Sequence, residues 1–351
     1  DKKCNKKMYP ASITKIMTAL LTIENCKMDE MVTFSDATIH SIQYGDANMG
    51  CSVGEKMTVK DCLYALMLQS ANEVATALGE HIAGSTKKFA EMMNKRAKEA
   101  GALNTHFANA NGLHDPNHYV TAYDMAMITR AASKYSVFND IVNTTTYTIK
   151  HNNKRKTDAT AIQRHKMVWP TSGYYYDGII GGKTGFTDQS GTTLVTYAKR
   201  NGMTLIAVVL HSNGTNVYKD TKELLDYGFN NFQKVEVPGG AVTIPKDVQV
   251  SDLTNTDNSY YYGTDYYVGS GSKEVQEEEP SEIAAEETTP TPEVAPESSD
   301  SNTGQEEKTQ DMTVYRYVIY ILAGLIAVTL VVTIVSGIRK HTKKKKRRRK
   351  S

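Results

Sequence analysis

The chain has 351 residues, enough for one large domain or two ordinary ones, and its formal net charge at pH 7 is only +2. That average conceals two highly charged segments: residues 339–350 carry ten Lys or Arg and no acid, whereas residues 273–311 carry thirteen Asp or Glu and two Lys. The remainder is nearly neutral, so the overall charge gives no reason to expect nucleic-acid binding.

The first half of the chain has the apolar spacing of amphipathic helices. The first predicted helix covers residues 12–26 and places Ile13, Ile16 and Leu20 near one face. A second runs from residue 59 to about Gln69, and two more follow before residue 135. A polar residue precedes each of the later helices and is expected to cap it: Thr58, Ser85 and Thr121.

The second half changes to strand patterns. Residues 144–150 alternate and are rich in β-branched side chains, and residues 192–200 and 203–211 are two apolar strands joined by Asn201-Gly202, a strong hairpin signal. Residues 219–232 return to a helical pattern. Helices enclosed between strands of an antiparallel sheet predict an α+β domain over residues 1–234.

The segment that follows is expected to be a short β-rich remnant or connector, residues 235–268. Residues 269–313 are acidic and rich in Pro, Ser and Thr, with few large apolar side chains, so they predict a disordered linker or stalk. This linker would separate the folded domain from whatever follows it.

A single C-terminal transmembrane helix is predicted at residues 314–338. The segment from Tyr317 to Ile338 has no charged residue over 22 positions, and a helix of that length spans roughly 33 Å. The basic residues 339–351 then predict a cytoplasmic tail, which places the larger domain outside the membrane. Export of that domain requires a signal sequence, and Asp1 opens on a polar stretch, so we expect the N-terminus to be truncated.

The cysteines and histidines give no pattern typical of a metal site. Four cysteines, Cys4, Cys26, Cys51 and Cys62, permit three complete disulfide pairings, between which the sequence does not choose. His106, His114 and His118 fall in a loop at spacings that are more typical of a turn than of a metal site. We expect no metal and no cofactor.

Ser12 and Lys15 form an S-x-x-K motif at the start of the first predicted helix. A spacing of three places both side chains on one face, one turn apart. A desolvated lysine near a second cation has a lowered pKa and can take the serine proton, which would make Ser12 a nucleophile. Four residues of this kind occur often by chance, so the motif alone is weak.

Two further motifs follow. Ser70, Ala71 and Asn72 form S-x-N after an apolar helix, although Ser70 could simply cap the next helix. Lys183, Thr184 and Gly185 form K-T-G on a predicted strand, where a cation, a hydroxyl and a small residue suit a substrate carboxylate. A phosphate loop is excluded because Asp177 stands where that motif needs glycine.

The order S-x-x-K, S-x-N, K-T-G resembles the motif set of penicillin-binding proteins and class A β-lactamases. The resemblance is narrower than that: four stretches are similar to low-molecular-mass penicillin-binding proteins of the D-alanyl-D-alanine carboxypeptidase type, and the similarity extends from about Asn5 to Phe232. The four stretches are YPASITKIMTAL, LMLQSANEVATALGEHIAGS, FANANGLHDPNHYVTAYDMAMITR and DGIIGGKTGFT.

The resemblance implies a β-lactamase/transpeptidase-like fold and a role for each motif residue. Ser12 would attack the terminal D-Ala-D-Ala amide of the peptidoglycan stem peptide, with Lys15 as general base. Ser70 and Asn72 would relay a proton and orient an amide, and Lys183 and Thr184 would bind the carboxylate beside Gly185. The backbone N–H groups of Ser12 and Phe186 would form an oxyanion hole. β-Lactams would trap the serine, and Asn111-Gly112-Leu113 would shape the site.

The sequence also departs from the family. Members often carry an arginine after the strand corresponding to residues 203–211, and here only Lys219 is available as a replacement. Two other functions remain open: a β-lactamase or other serine hydrolase on the same fold, and a catalytically silent wall-binding protein. The absence of an E-x-x-x-N motif between Asn72 and Lys183 argues against a class A β-lactamase, and the presence of every nucleophile-motif side chain disfavours the silent protein.

Overall fold

The structure is a computed structural model that describes residues 3–237 and 240–248. The predicted acidic linker, transmembrane helix and basic tail lie outside the described residues, as does most of the predicted connector. Within the described part, no helix combines the length and apolar character needed to cross a membrane.

Eight α-helices are present in the described part of the chain, most of them in its first 143 residues. In chain order they are α1 Lys15–Asn25, α2 Asp36–His40, α3 Val59–Tyr64, α4 Asn72–Ala83, α5 Thr86–Glu99, α6 Ala122–Ala132, α7 Ser136–Asn143 and α8 Asn216–Asn231. A 3₁₀ turn, Ala11–Thr14, leads directly into α1, and a π-helical turn, Ala65–Gln69, extends α3.

The described strands form four antiparallel sheets. They are β1 Met31–Thr33, β2 Lys56–Thr58, β3 Thr146–Ile149, β4 Ala159–Ile162, β5 Ile179–Thr187, β6 Gly191–Arg200, β7 Met203–Ser212, β8 Phe232–Val237 and β9 Gly240–Pro245. The largest sheet has the order β5-β6-β7, and the others pair β1 with β2, β3 with β4, and β8 with β9. Helices with an antiparallel sheet confirm the predicted α+β class.

Local signals in the sequence account for several element boundaries. Thr58, Ser85 and Thr121 each accept a hydrogen bond from the backbone N–H three residues later, so all three predicted caps are present. Asn201 and Gly202 form the β6–β7 turn with positive φ values of 48° and 77°, a conformation that asparagine and glycine tolerate best.

Helix α1 lies inside the domain rather than on its surface. Eight of its eleven residues are buried, and Ile16, Met17 and Leu20 belong to the main hydrophobic cluster with side chains from α3, α4 and α6. Burial on all sides is typical of a central helix and fixes the residue at its N-terminal end rigidly. That residue is Lys15.

The cysteines are all free thiols, so none of the three possible disulfide pairings occurs. Cys62 is completely buried, as expected for a small apolar side chain on α3. The second predicted helix is correct in extent, but its last turn is π-helical, which the apolar periodicity does not reveal.

Candidate active site

The three motifs meet in one open cleft of about 990 Å³. The cleft is lined by one residue of the nucleophile motif, two of S-x-N and two of K-T-G, followed by the next residue on β5: Ser12, Ser70, Asn72, Thr184, Gly185 and Phe186. The two motif lysines, Lys15 and Lys183, are buried behind these residues, with 0 % and 1 % of their surface exposed.

The backbone around Ser12 is held in a strained turn. Ala11 has a positive φ of 52°, and its carbonyl lies so close to Gly112 that a Cβ atom on Gly112 would stand 2.0 Å from the Ala11 oxygen. From the other side, the Thr193 hydroxyl on β6 donates to the Pro10 carbonyl at 2.8 Å. Positive φ is costly for alanine, and the surrounding contacts hold Ser12 at the cleft surface.

The Lys15 ammonium donates hydrogen bonds to three oxygens. Nζ lies 2.9 Å from Ser12 Oγ, 2.7 Å from Asn72 Oδ1 and 2.6 Å from the Asn111 carbonyl. The first distance is direct hydrogen-bond contact between the two S-x-x-K side chains, and the second joins the nucleophile motif to S-x-N. Asn111 therefore contributes through its backbone, a role that side-chain motifs cannot indicate.

The environment of Lys15 disfavours its charge. Burial lowers its pKa well below the usual value, and the positive charge of Lys183 lowers it further, while Glu73 partly opposes both effects. A lysine of lowered pKa spends more time as a neutral amine, which can accept a proton from the adjacent hydroxyl.

Ser70 and Asn72 lie at the junction between the π-helical turn and α4. Ser70 adopts left-handed backbone geometry, with φ 66° and ψ 29°. The N-terminal cap of α4 is Ala71, and no side chain caps it. The simpler interpretation of Ser70 as a capping residue is therefore wrong.

Lys183 on β5 donates to the Ser70 hydroxyl at 3.1 Å and to the Thr184 carbonyl at 2.9 Å. Burial, followed by the charge of Arg164, lowers its pKa to about 7. The second lysine thus links K-T-G to S-x-N, and the hydrogen bonds Ser12–Lys15–Asn72 and Ser70–Lys183 join all three motifs.

Gly185 lets β5 approach the nucleophile. A Cβ atom there would lie 2.9 Å from the Ser12 nitrogen and 2.4 Å from Thr193 Oγ1. Phe186 follows with 65 % of its surface exposed. The β5 backbone at Gly185 therefore lies close to the backbone nitrogen of Ser12.

His118 is a supporting residue that the sequence did not identify. Its ring is buried, and burial lowers its pKa to about 4, so the ring is neutral. Nδ1 accepts from the Ala108 N–H at 3.2 Å, which leaves Nε2–H to donate to Thr14 Oγ1 at 2.8 Å. His118 therefore braces the S-x-x-K turn from behind.

The sequence offered only Lys219 as a replacement for the family's arginine, and the structure places two other cations, Arg164 and Lys166, at the cleft. The Lys219 side chain is 76 % exposed, lies 3.9 Å from Glu223 and does not line the cleft. Arg164, just after β4, does line it, and its charge lowers the pKa of both Lys183 and Lys15. No sequence motif indicated Arg164, because this residue follows a short strand and lies far from K-T-G in the sequence.

Potential metal ligands do not converge in the cleft. Within residues 3–237 and 240–248, one group of His, Cys, Asp or Glu side chains is close enough to hold an ion, and it comprises Cys26, Glu30 and His81. None of these residues lines the cleft.

The sequence matches the profile of peptidase family S11, D-alanyl-D-alanine carboxypeptidase, over residues 1–214. It is 33 % identical over 242 residues to the D-alanyl-D-alanine carboxypeptidase DacF of Bacillus subtilis, and 33 % identical over 242 residues to DacC of Escherichia coli. These alignments cover 66 % of this chain but only 59 % and 58 % of those relatives, so the chain spans less than two thirds of their length.

Comparison with solved structures agrees with the family match. The fold is similar to the crystal structure of the Streptomyces K15 DD-transpeptidase, with a TM-score of 0.61 and 31 % identity over 65 % of this chain and 90 % of that one. An evolved penicillin-binding protein homologue from Mycobacterium tuberculosis gives a TM-score of 0.59 at 26 % identity, covering 65 % of this chain and 85 % of that one. The chain belongs to the D-alanyl-D-alanine carboxypeptidase family of serine peptidases.

Proposed function

We propose that the chain is a serine D,D-carboxypeptidase that removes the terminal D-alanine from peptidoglycan stem pentapeptides through an acyl-enzyme on Ser12. The observation that carries this proposal is the 2.9 Å contact between Lys15 Nζ and Ser12 Oγ, made by a lysine that is fully buried. The family membership and the names of the relatives support the same substrate class.

Acylation begins when neutral Lys15 accepts the Ser12 hydroxyl proton. Oγ then bonds to the carbonyl carbon of the penultimate D-alanine, and the carbonyl oxygen becomes an oxyanion. The N–H groups of Ser12 and Phe186, brought together because Gly185 carries no side chain, would stabilise that oxyanion.

The carbon–nitrogen bond then breaks, and the proton that Lys15 took from Ser12 passes to the leaving D-alanine nitrogen, which returns Lys15 to its neutral form. The Ser70 hydroxyl, which accepts a hydrogen bond from Lys183 at 3.1 Å, would relay this proton. Water afterwards attacks the ester on Ser12, with Lys15 again as base, and releases the shortened peptide.

The leaving D-alanine carries a free carboxylate, which requires cations on the β5 side. Lys183 and Thr184 are the motif residues there, and Arg164 adds the positive charge of a guanidinium at the cleft. Guanidinium groups suit carboxylates because they can donate two parallel hydrogen bonds. We therefore assign to Arg164 the role that the sequence suggested for Lys219.

A second fate for the acyl-enzyme follows from the structural neighbours, which are named as DD-transpeptidases. In that reaction an amine of another stem peptide, rather than water, would take the acyl group. A β-lactamase would instead release hydrolysed lactam rapidly. All three reactions share acylation of Ser12. Transpeptidation differs in using an amine to cleave the ester, whereas the carboxypeptidase and the β-lactamase both use water and differ in the acyl group that they release rapidly.

Acylation is tested by covalent labelling with a fluorescent penicillin. The wild-type chain should retain the label after denaturation, and Ser12→Ala should lose it completely because the acceptor oxygen is gone. Ser133→Ala is the matched control, since Ser133 lies at the C-terminal end of α6 and does not line the cleft. Persistent labelling of Ser12→Ala would exclude Ser12 as the nucleophile.

The three fates are separated by product analysis on a pentapeptide ending in D-Ala-D-Ala. We expect free D-alanine and tetrapeptide, with only slow hydrolysis of a β-lactam. Formation of a cross-linked product in the presence of an acceptor amine would favour transpeptidation. Rapid hydrolysis of the lactam without release of D-alanine would instead favour a β-lactamase function.

Membrane attachment is a further part of the proposal and depends on sequence alone. The predicted helix at residues 314–338 and the basic residues 339–351 would anchor the chain with its catalytic domain outside the cell membrane. Fractionation of cells expressing the full chain, compared with a chain ending at residue 313, tests this: we expect the full chain in the membrane fraction and the shorter chain in the soluble fraction.

A further inference from the structure

A thiol, a carboxylate and an imidazole converge at the end of the domain opposite to the nucleophile. Cys26 directly follows the last residue of α1, Glu30 precedes β1, and His81 lies in the last turn of α4. One ligand atom from each residue lies within 4.8 Å of the other two. Cys26 and Glu30 are close in the sequence, but His81 lies 51 residues after Glu30, so no short motif indicates the group.

Backbone contacts hold the carboxylate in place without using all of its oxygens. The Lys27 N–H donates to Glu30 Oε1 at 2.8 Å, and the Glu30 N–H donates to the Lys27 carbonyl at 3.2 Å. The other oxygen, Oε2, lies 3.3 Å from His81 Nε2. The turn therefore presents one carboxylate oxygen towards the imidazole and the half-buried Cys26 thiol.

We propose that Cys26, Glu30 and His81 form a binding site for a late first-row divalent cation, most suitably Zn²⁺. Zinc is bound by thiolate, imidazole and carboxylate ligands, usually four in tetrahedral geometry. Three protein ligands leave one position for water. Calcium and magnesium are less suitable because they require six or more oxygen ligands.

Ligation by Cys26 requires the loss of its thiol proton. Burial, followed by the negative charge of Glu30, raises the pKa of the thiol to about 11, which opposes that loss. A cation would offset both effects and release the thiol proton on binding. The Lys27 hydrogen bond lowers the pKa of Glu30 and keeps this ligand ionised.

The site is too far from Ser12 to take part in acyl transfer. Helix α1 has eleven residues between Thr14 and Cys26, and at about 1.5 Å rise per residue it separates them by roughly 17 Å. A metal here would instead join the C-terminal ends of α1 and α4 to the start of β1. Because it would bind the folded state preferentially, it would raise thermal stability.

The test uses the purified full chain after treatment with a chelator. Zn²⁺ is titrated by calorimetry, and Co²⁺ is added as a spectroscopic probe. We expect one ion per chain, an increase in melting temperature, and a thiolate-to-cobalt charge-transfer band with the visible spectrum of tetrahedral Co²⁺. Fluorescent penicillin labelling, measured in parallel, should be equal with and without metal, so this result is independent of the catalytic proposal.

Variants identify the ligands. Cys26→Ser, Glu30→Gln and His81→Gln should each weaken Zn²⁺ binding by at least about tenfold, and Cys26→Ser should abolish the charge-transfer band. Cys4→Ser and His40→Gln are matched controls, because Cys4 is also half-buried and His40 also ends a helix, yet neither belongs to the group. Circular dichroism and the metal-free melting temperature of each variant report whether it folds.

Two results would overturn the proposal. One is the absence of saturable binding at a ratio of one ion per chain. The other is a Cys26→Ser variant that folds and binds Co²⁺ with an unchanged spectrum, which would assign binding to other residues, such as the loop histidines.

Discussion

The cleft has a helical wall, which carries Ser12, Lys15 and Asn72, and a sheet wall, which carries the K-T-G motif on β5. Each wall holds one buried lysine, and the two lysines differ in their hydrogen-bond partners. On the helical wall, Lys15 donates to the nucleophile, to Asn72 and to the Asn111 carbonyl. On the sheet wall, Lys183 donates to Ser70 and to the carbonyl of its neighbour Thr184. Only Lys15 touches Ser12.

This difference shows that burial alone does not assign a role. Burial lowers the pKa of both lysines, but contact with Ser12 makes Lys15 the base, whereas the neighbouring Thr184 and Arg164 suit Lys183 to an anionic substrate. The two side chains also affect each other, because the charge of Lys183 lowers the pKa of Lys15. Lys183 on the sheet wall therefore helps Lys15 on the helical wall to act as a base.

The largest expected effect comes from replacing each lysine by arginine. Arginine keeps the charge and the donors but cannot act as a base, because it stays protonated. Lys15→Arg should lower the penicillin acylation rate by about 10³-fold, the range of general-base catalysis, and Lys183→Arg by about tenfold. Stopped-flow labelling measures both rates, and melting temperatures report whether the larger side chain is accommodated. Equal losses in two folded variants would contradict the division of roles.

The next effect tests how closely the sheet wall approaches Ser12. Gly185→Ala would place a Cβ atom 2.9 Å from the Ser12 nitrogen, so the oxyanion hole should open. We expect acylation to fall by about 10²-fold, similar to the loss of one oxyanion donor. Gly173→Ala is the control, since a Cβ atom at Gly173 meets nothing within 4 Å. Unchanged acylation in Gly185→Ala would exclude this part of β5 from the oxyanion site.

A smaller effect is expected from replacing Arg164, a cation that lines the cleft. Arg164→Ala should raise KM for a D-Ala-D-Ala peptide roughly tenfold, the loss of one charge-assisted contact, with kcat less affected. The same variant should not change KM for an analogue whose terminal carboxylate is an amide. Lys219→Ala should change neither value, because Lys219 is exposed and outside the cleft. The reverse pattern would restore Lys219 as the carboxylate partner.

The smallest effect concerns the support behind the helical wall. Folding lowers the pKa of His118 to about 4 from about 6.5, so below pH 6.5 the unfolded chain binds a proton that the folded chain does not. Stability is therefore lost as the pH falls, by about 0.7 kcal/mol for this residue between pH 7 and pH 6.

Denaturant unfolding of His118→Gln at the two pH values measures that contribution. The variant should lose less stability than the wild type over this interval, whereas His40→Gln, at an exposed helix end, should behave like the wild type. A parallel loss in wild type and His118→Gln would show that the buried ring does not contribute to the acid sensitivity.

Local patterns were sufficient to predict several element boundaries in both the helical and the sheet parts of the domain. Capping by Thr58, Ser85 and Thr121 depends on residues three positions apart, and the Asn201-Gly202 turn depends on two adjacent residues. The S-x-x-K spacing also predicted that Ser12 and Lys15 would share a face. Such features follow from short-range geometry and need no knowledge of the tertiary fold.

Long-range contacts in the site could not be predicted in the same way. The Asn111 carbonyl meets Lys15 across 96 residues, and the Thr14–His118 hydrogen bond spans 104 residues. Arg164 likewise reaches the cleft only because the fold brings the segment just after β4 to it. Ser70 has a left-handed backbone at the C-terminal end of the π-helical turn, whereas its sequence favoured an ordinary cap.

The edge position of β5 determines which features of a bound peptide the cleft can distinguish. It lies at one edge of the β5-β6-β7 sheet, and among the described strands only β6 pairs with it. An extended ligand can add to such an edge through main-chain hydrogen bonds, which are the same for every amino acid. Variation in the side chains of a bound peptide should therefore be tolerated, whereas methylation of a single backbone nitrogen facing β5 should abolish its binding.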